Sequence, residues 1–226
     1  QGLDVVSTGA VIAFAMECFE NGILTEKDTD GRTLRYGDAD AMIWLIEQIA
    51  SRTGLGDVLA QGVKRAAEKI GRGAEKFAFD IKGQELAFHD GRGKTGMAMG
   101  FALSPTGADH IETPHDVAFQ GDGVSKLYPM GLFDPVDPLK TDAAKMRFFS
   151  IGQKAWGINN VLNLCNFVSV PIHAMTFGRL VEAVNAITGW DVSLYELVNA
   201  TERSNVMARV FNNREGFTPK DDTLIS

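Results

Sequence analysis

Three stretches carry the residue types that do chemistry. Gly107–Asp116, GADHIETPHD, gathers His110, His115, Asp109, Asp116 and Glu112 within eight residues. Imidazoles and carboxylates bind metals and move protons near neutral pH. His110 and His115 are five apart, which is not one helical face, and Pro114 breaks any helix between them. The stretch can be read as a loop-borne zinc site, as a polar wall with His110 as an acid/base group, or as a solvated loop. Gly91–Gly96, GRGKTG, ends like a phosphate loop. Such a loop needs Gly-x4-Gly-Lys-Ser/Thr so that backbone N–H groups wrap the phosphates. Here the first glycine position is Phe88 and no clear strand precedes it, so a turn before a helix starting near Met97 is the better reading. Gly157–Phe167, GINNVLNLCNF, sets Cys165 in an apolar run beside Leu164 and Phe167. By default it is a buried, inert thiol.

Helices must position these residues. Met42, Leu45, Ile46 and Ile49 fall at i, i+3, i+4, i+7 and form one stripe, with Gly54 as the stop. Asp57 is a cap for a next helix whose stripe is Leu59, Val63, Ala66 and Ile70. Thr8 to Asn21 is apolar almost all round and reads as a deeply buried helix that includes Cys18. Thr141 to Gly152 is a further helix. Phe177, Leu180, Val181 and Val184 mark another, ended by Gly189. Ser193 and Glu196 form a capping box that opens a helix running to about Phe211. Strand signal is weak, with Phe77 to Lys82 the best candidate. Gly83 to Asp137 is loop-rich and holds three of the four histidines, and a loop region of that length is usually functional. Asp221 and Asp222 read as a solvated end. The fold class is mainly α.

The 226 residues suffice for one or two domains with a sizeable core. A net charge of −7 argues against nucleic acid or an anionic membrane held by bulk charge. No signal peptide is visible, and the most apolar stretch, Ala10 to Phe19, is too short to span a bilayer. Two cysteines make no disulfide framework, and free thiols suit a reducing, cytoplasmic compartment.

Four stretches, taken in order, resemble the tungsten-dependent aldehyde:ferredoxin oxidoreductase family: Gly2–Gly22, Gly37–Gly71, Lys82–His110 and Phe211–Asp222, the last beginning FNNREGF. The resemblance implies two mainly α-helical domains that close over a tungsten (or molybdenum) bis-pyranopterin seated by an N-terminal domain of the same protein. Residues 1–78 would end the middle domain, and residues 79–226 would form the C-terminal domain with its cofactor-facing loops. The family's fourth [4Fe–4S] ligand lies in a motif Asp-x-x-Gly-Leu-Cys. Here that run is Asn160, Val161, Leu162, Asn163, Leu164, Cys165, which makes Cys165 the candidate ligand, with Asn160 in the Asp place and Asn163 in the Gly place. An amide at Asn160 both donates and accepts, unlike a carboxylate. A related motif ends in Gly-Leu-Asp, matched by Gly2, Leu3 and Asp4, which makes Asp4 a pterin contact. Asn160 and Leu164 are the other expected cofactor contacts.

His110 matches a family histidine that handles a proton at the substrate, while the acidic IETPHD after it departs from the family form. The expected activity is oxidation of a small aldehyde to a carboxylic acid, with electrons passed through the cluster to ferredoxin. The alternatives are an acyl-thioester reductase on the same scaffold and a non-catalytic helical module when the chain is isolated. The cofactors belong to the complete enzyme, and the isolated chain is expected to be inactive without the N-terminal domain. A homodimer is compatible with this reading.

Overall fold

The computed structural model describes residues 1–168 and 175–224, and the fourth histidine, His173, lies outside them. The chain is mainly helical and divides into two compact units. The first is Gln1–His89 with Thr106–Asp109 and the C-terminal end from Thr223. The second is Asp90–Pro105 with His110–Asp222.

In the first unit, α1 (Val5–Glu20) buries Val11, Ile12, Phe14, Ala15, Met16 and Cys18, as its all-round apolar sequence predicts. Burial first, and the Glu17 carboxylate second, push the Cys18 thiol up to about 11. Helix α2 (Ala39–Ser51) is capped by Asp38, which accepts from the Ala41 amide at 2.9 Å. Its buried stripe is Ala41, Leu45 and Ile49, while Met42 is exposed. The stripe expected to include Met42 is therefore rotated by one position. The helix ends at Arg52, which takes the left-handed conformation (φ 57°) assigned in advance to a glycine stop.

The next expected helix is two helices. Helix α3 (Gly54–Leu59) already contains Asp57, which pairs with Arg52 at 2.9 Å instead of capping. Gly62 (φ 87°) breaks the run, and α4 (Val63–Ile70) follows. The buried Glu85 carboxylate caps α4 by accepting from the Val63 amide at 2.8 Å, and also accepts from the Ser7 hydroxyl at 3.1 Å. A side chain at Gly62 would collide with it, since an added Cβ would lie 2.4 Å from Glu85 Oε1. The expected strand shrinks to a hairpin of β1 (Asp80–Ile81) and β2 (Gln84–Glu85), paired antiparallel. Lys82 and Gly83 both have positive φ, as a tight two-residue hairpin turn requires.

The second unit contains α5 (Thr95–Leu103), α6 (Ala143–Val161), α7 (Phe177–Thr188) and α8 (Leu194–Arg214), with 3-10 segments at Asp116–Phe119 and Gly121–Met130. Its core includes Phe119, Leu127, Phe148, Ile158, Leu180 and Leu197. Helix α6 runs nine residues beyond the expected end at Gly152, because Gly152 and Gly157 serve close packing and not termination. A Cβ on Gly157 would lie 2.4 Å from Thr201 Cγ2 on α8. The capping box of Ser193 and Glu196 opens α8, and Gly189 (φ 73°) ends α7, both as expected. The C-terminal aspartates are not simply solvated, since the Arg209 guanidinium donates to Asp222, with Nη1 to Oδ1 at 3.0 Å.

Candidate functional site

The cysteine segment is a helix-terminating turn. At the end of α6, the Leu164 amide donates to the Asn159 carbonyl at 2.8 Å and the Asn163 amide to the Asn160 carbonyl at 3.1 Å. These are the two bonds of a Schellman motif, with Asn163 (φ 56°) as its left-handed residue. Glycine has no steric penalty there, and asparagine is among the few others that tolerate it. Asn163 therefore holds a backbone conformation that glycine would also adopt. Leu164 turns inward and packs against the core that contains Ile158. Asn160 and Cys165 are exposed, and so are Phe167 and Val168. Buried Asn159 donates to Asn166 Oδ1 at 2.9 Å and braces the turn from behind.

The first unit begins with a similar arrangement. Gly2 is left-handed (φ 73°), Leu3 packs against the core of its unit, and Asp4 is exposed. Asp4 also has a structural role, since it caps α1 by accepting from the Ser7 amide at 2.7 Å. Each Leu thus anchors an exposed polar residue that follows a left-handed one.

The histidine loop is held tightly. Thr113, Pro114 and Asp116 are buried. Glycines make the room: an added Cβ on Gly96 would lie 2.7 Å from Asp116 Oδ1, on Gly100 2.7 Å from Thr113 Oγ1, and on Gly152 2.9 Å from Pro114. The Trp156 indole N–H donates to the Ile111 carbonyl. Asp116 is fully buried and accepts from the Gly96 and Met97 amides, each at 3.1 Å, and from the Lys145 ammonium. It caps α5 from twenty residues downstream. The solvated-loop reading does not hold for these residues.

The start of α5 is consequently closed to a phosphate. The Thr95 amide donates to the Pro138 carbonyl at 2.8 Å, the next two amides are held by Asp116, and the Thr95 hydroxyl donates to Pro138 and Lys140 carbonyls. Lys94 turns toward the histidine loop instead, with its Nζ 3.3 Å from His115 Nδ1. His110 and His115 are half-buried, with rings perpendicular and centroids 6.1 Å apart. Sequence reasoning missed Lys145 and the capping role of Asp116, and it met Lys94 only as the lysine of a phosphate loop. The spacing of Gly96 and Gly100 was the available signal that something packs closely on α5.

Among the described residues no three His, Cys, Asp or Glu side chains gather as a metal site. Cys165 is one exposed thiol on a fixed turn. It fits a cluster only as a single ligand, with the remaining thiolates coming from outside these residues. Among the described residues no helix is long and apolar enough to cross a membrane.

Comparison with known proteins covers the whole chain. The family model for aldehyde ferredoxin oxidoreductase, domains 2 and 3, matches residues 1–226. The tungsten-containing aldehyde ferredoxin oxidoreductase of Pyrococcus horikoshii is 31% identical over 99% of this chain, and that of Thermococcus kodakarensis is 32% identical over 99%. In both cases the chain spans 35% of the relative's length. Among solved structures, the active site complex BamBC of benzoyl coenzyme A reductase, in complex with 1,5 dienoyl-CoA, covers the whole chain and 38% of its own, at a TM-score of 0.71 and 22% identity. That likeness concerns the fold. With the family model matched end to end and relatives at 31–32% identity covering 99% of it, the chain belongs to the aldehyde ferredoxin oxidoreductase family.

Proposed function

We propose that this chain is the C-terminal portion of a tungsten (or molybdenum) bis-pyranopterin oxidoreductase that oxidises aldehydes to carboxylic acids. Residues 1–78 belong to the middle helical domain in this reading, and residues 79–226 to the last. The reaction adds water and releases two protons and two electrons. The bound metal centre supplies the two-electron redox chemistry, and ferredoxin is the electron acceptor. The residues of this chain hold and shape the site. Cys165 supplies the fourth thiolate of a [4Fe–4S] cluster. Asn160 and Asp4 offer exposed hydrogen-bonding groups to the pterins, and Leu164 fixes the turn between Asn160 and Cys165. His110 exchanges a proton with the substrate.

The observation that carries this reading is the Schellman turn. It exposes Cys165 and uses Asn163 in the left-handed place where the family motif has glycine. In the full-length protein, Cys165→Ala is expected to lose cluster iron and the cluster's paramagnetic signal on reduction. Full iron content in that variant overturns the assignment. Reduction of an acyl thioester on the same scaffold is the second reading. It is favoured by the packed histidine loop, which makes the departure from the family sequence a fixed wall. Turnover of thioesters with failure on every aldehyde tried would select it.

A further inference from the structure

Asn159 stands just before the run that matches the family motif, and the proposed function gives it no duty. It holds both neighbours of Cys165. Its carbonyl accepts from the Leu164 amide at 2.8 Å, and its side-chain Nδ2 donates to Asn166 Oδ1 at 2.9 Å. One residue of α6 thus grips the chain on each side of the thiol. The Cys165 carbonyl accepts from the Val168 amide at 3.1 Å, which closes the turn beyond it.

Both amide side chains are buried, Asn159 at 1% exposure and Asn166 at 8%. Ile158, Leu162 and Leu164, from the same stretch of chain, pack in or against the core of the unit. For packing alone, leucine at both positions would serve without the cost of taking two amides out of water. A buried hydrogen-bonded pair is directional where an apolar contact is not. It dictates where Asn166 lies, and with it the backbone of Cys165.

We propose that Asn159 is a positioning residue that acts on Cys165 through Asn166, fixing the direction of the thiolate toward the [4Fe–4S] cluster and so helping to set the cluster's reduction potential. The proposal rests on the role of Cys165 as a cluster ligand. Reduction adds negative charge to the cluster, and water stabilises that charge. A turn that loosens and lets water reach the sulfur therefore raises the potential.

The test uses the full-length protein with its cluster. Asn159→Leu and Asn166→Leu each remove the side-chain bond and keep the side-chain size. Redox titration followed by the paramagnetic signal of the reduced cluster gives the midpoint potential, and iron analysis gives the occupancy. The potential should rise in both variants. In the double variant it should rise no further than in the larger of the singles, because a shared bond can be lost only once. Loss of iron from a folded single variant is the same outcome carried further. Asn166→Ala removes the acceptor without adding bulk, and carries the test where leucine is not accommodated. A potential unchanged or lowered in the single variants overturns the proposal even if the melting temperature falls, since a merely structural pair would show only that fall. Shifts that add in the double variant overturn it as well. Cys165→Ala separates the two readings. Iron lost there, with unperturbed clusters in the asparagine variants, refutes the positioning role alone, whereas full iron there refutes the ligand on which that role rests.

Discussion

Replacing Lys145 by Met should destabilise the second unit severely. Asp116 is inaccessible, and the Lys145 side chain is 2% exposed, so neither charge is screened by water. Removal of the ammonium leaves a buried carboxylate held by only the amides of Gly96 and Met97. Breaking one side of a buried pair costs about 3–5 kcal/mol, because the remaining charge is uncompensated. For a chain of this length, each kcal/mol lowers the melting temperature by about 2–4 °C, so a fall of roughly 6–20 °C is expected. The double variant Asp116→Asn/Lys145→Met has no charge left to strand and retains one acceptor for the helix amides. It should recover about 2 kcal/mol or more of the loss. Urea unfolding of wild type, both single variants and the double variant gives the cycle. Amide exchange at Gly96 and Met97 shows whether the loss is local. A Lys145→Met variant within about 1 kcal/mol of wild type would refute the reasoning. A double variant whose loss equals the sum of the singles would do the same.

Asn163→Ala should cost about 1–2 kcal/mol, since alanine lacks the local hydrogen bonds that let asparagine adopt φ 56°, while Asn163→Gly should be nearly neutral. Equal loss in both variants, measured by urea unfolding, would contradict the left-handed turn. In the folded chain at pH 8, a thiol reagent should modify the exposed Cys165 quickly and Cys18 only after denaturation, because burial pushes Cys18 up to about 11. Fast modification of both would show that α1 is not packed as described. The Arg72 guanidinium, donating to Asp28 at 2.9 and 3.2 Å, is the main cause that brings the Asp28 carboxyl down to about 2. A carboxyl lowered in the folded state stabilises above its unfolded value and loses that contribution as pH falls from about 4 to 2. Both partners are partly exposed, so Asp28→Asn should cost under about 1 kcal/mol at pH 7, with the two unfolding curves converging near pH 2.

Much of this architecture follows from local rules that the sequence displays. The caps at Ser193 and Gly189, and the apolar α1, depend on neighbours a few residues away, and they appear where expected. Two of the misreadings share one cause. Gly54 and Gly152 look like stops but serve other ends, since the chain turns left-handed at Arg52 before α3 and runs through Gly152 toward Pro114. A glycine selected for close approach cannot be told from one selected for a turn without knowing what approaches. The partners of the histidine loop were hidden for the same reason. Asp116 meets Gly96 and Lys145 across twenty and twenty-nine residues of chain, distances over which no periodicity speaks. Cys165 is the opposite case. Its apolar neighbours Leu164 and Phe167 suggest burial, yet the turn sends Leu164 inward and leaves the thiol outside.

The two leucine-anchored turns differ in how much else depends on their final residue. Asp4 closes the first turn of α1 as well as facing outward, so changing it for any chemical purpose also loosens a helix end, at about 1 kcal/mol. The Cys165 side chain has no such second duty, because the backbone bonds of Asn163 and Leu164 complete the helix terminus before the chain reaches it. The first position is conservative by construction and the second is interchangeable. A relative could exchange the sulfur for another side chain with little penalty in folding, and the chemistry offered at that turn can drift while its placement stays the same.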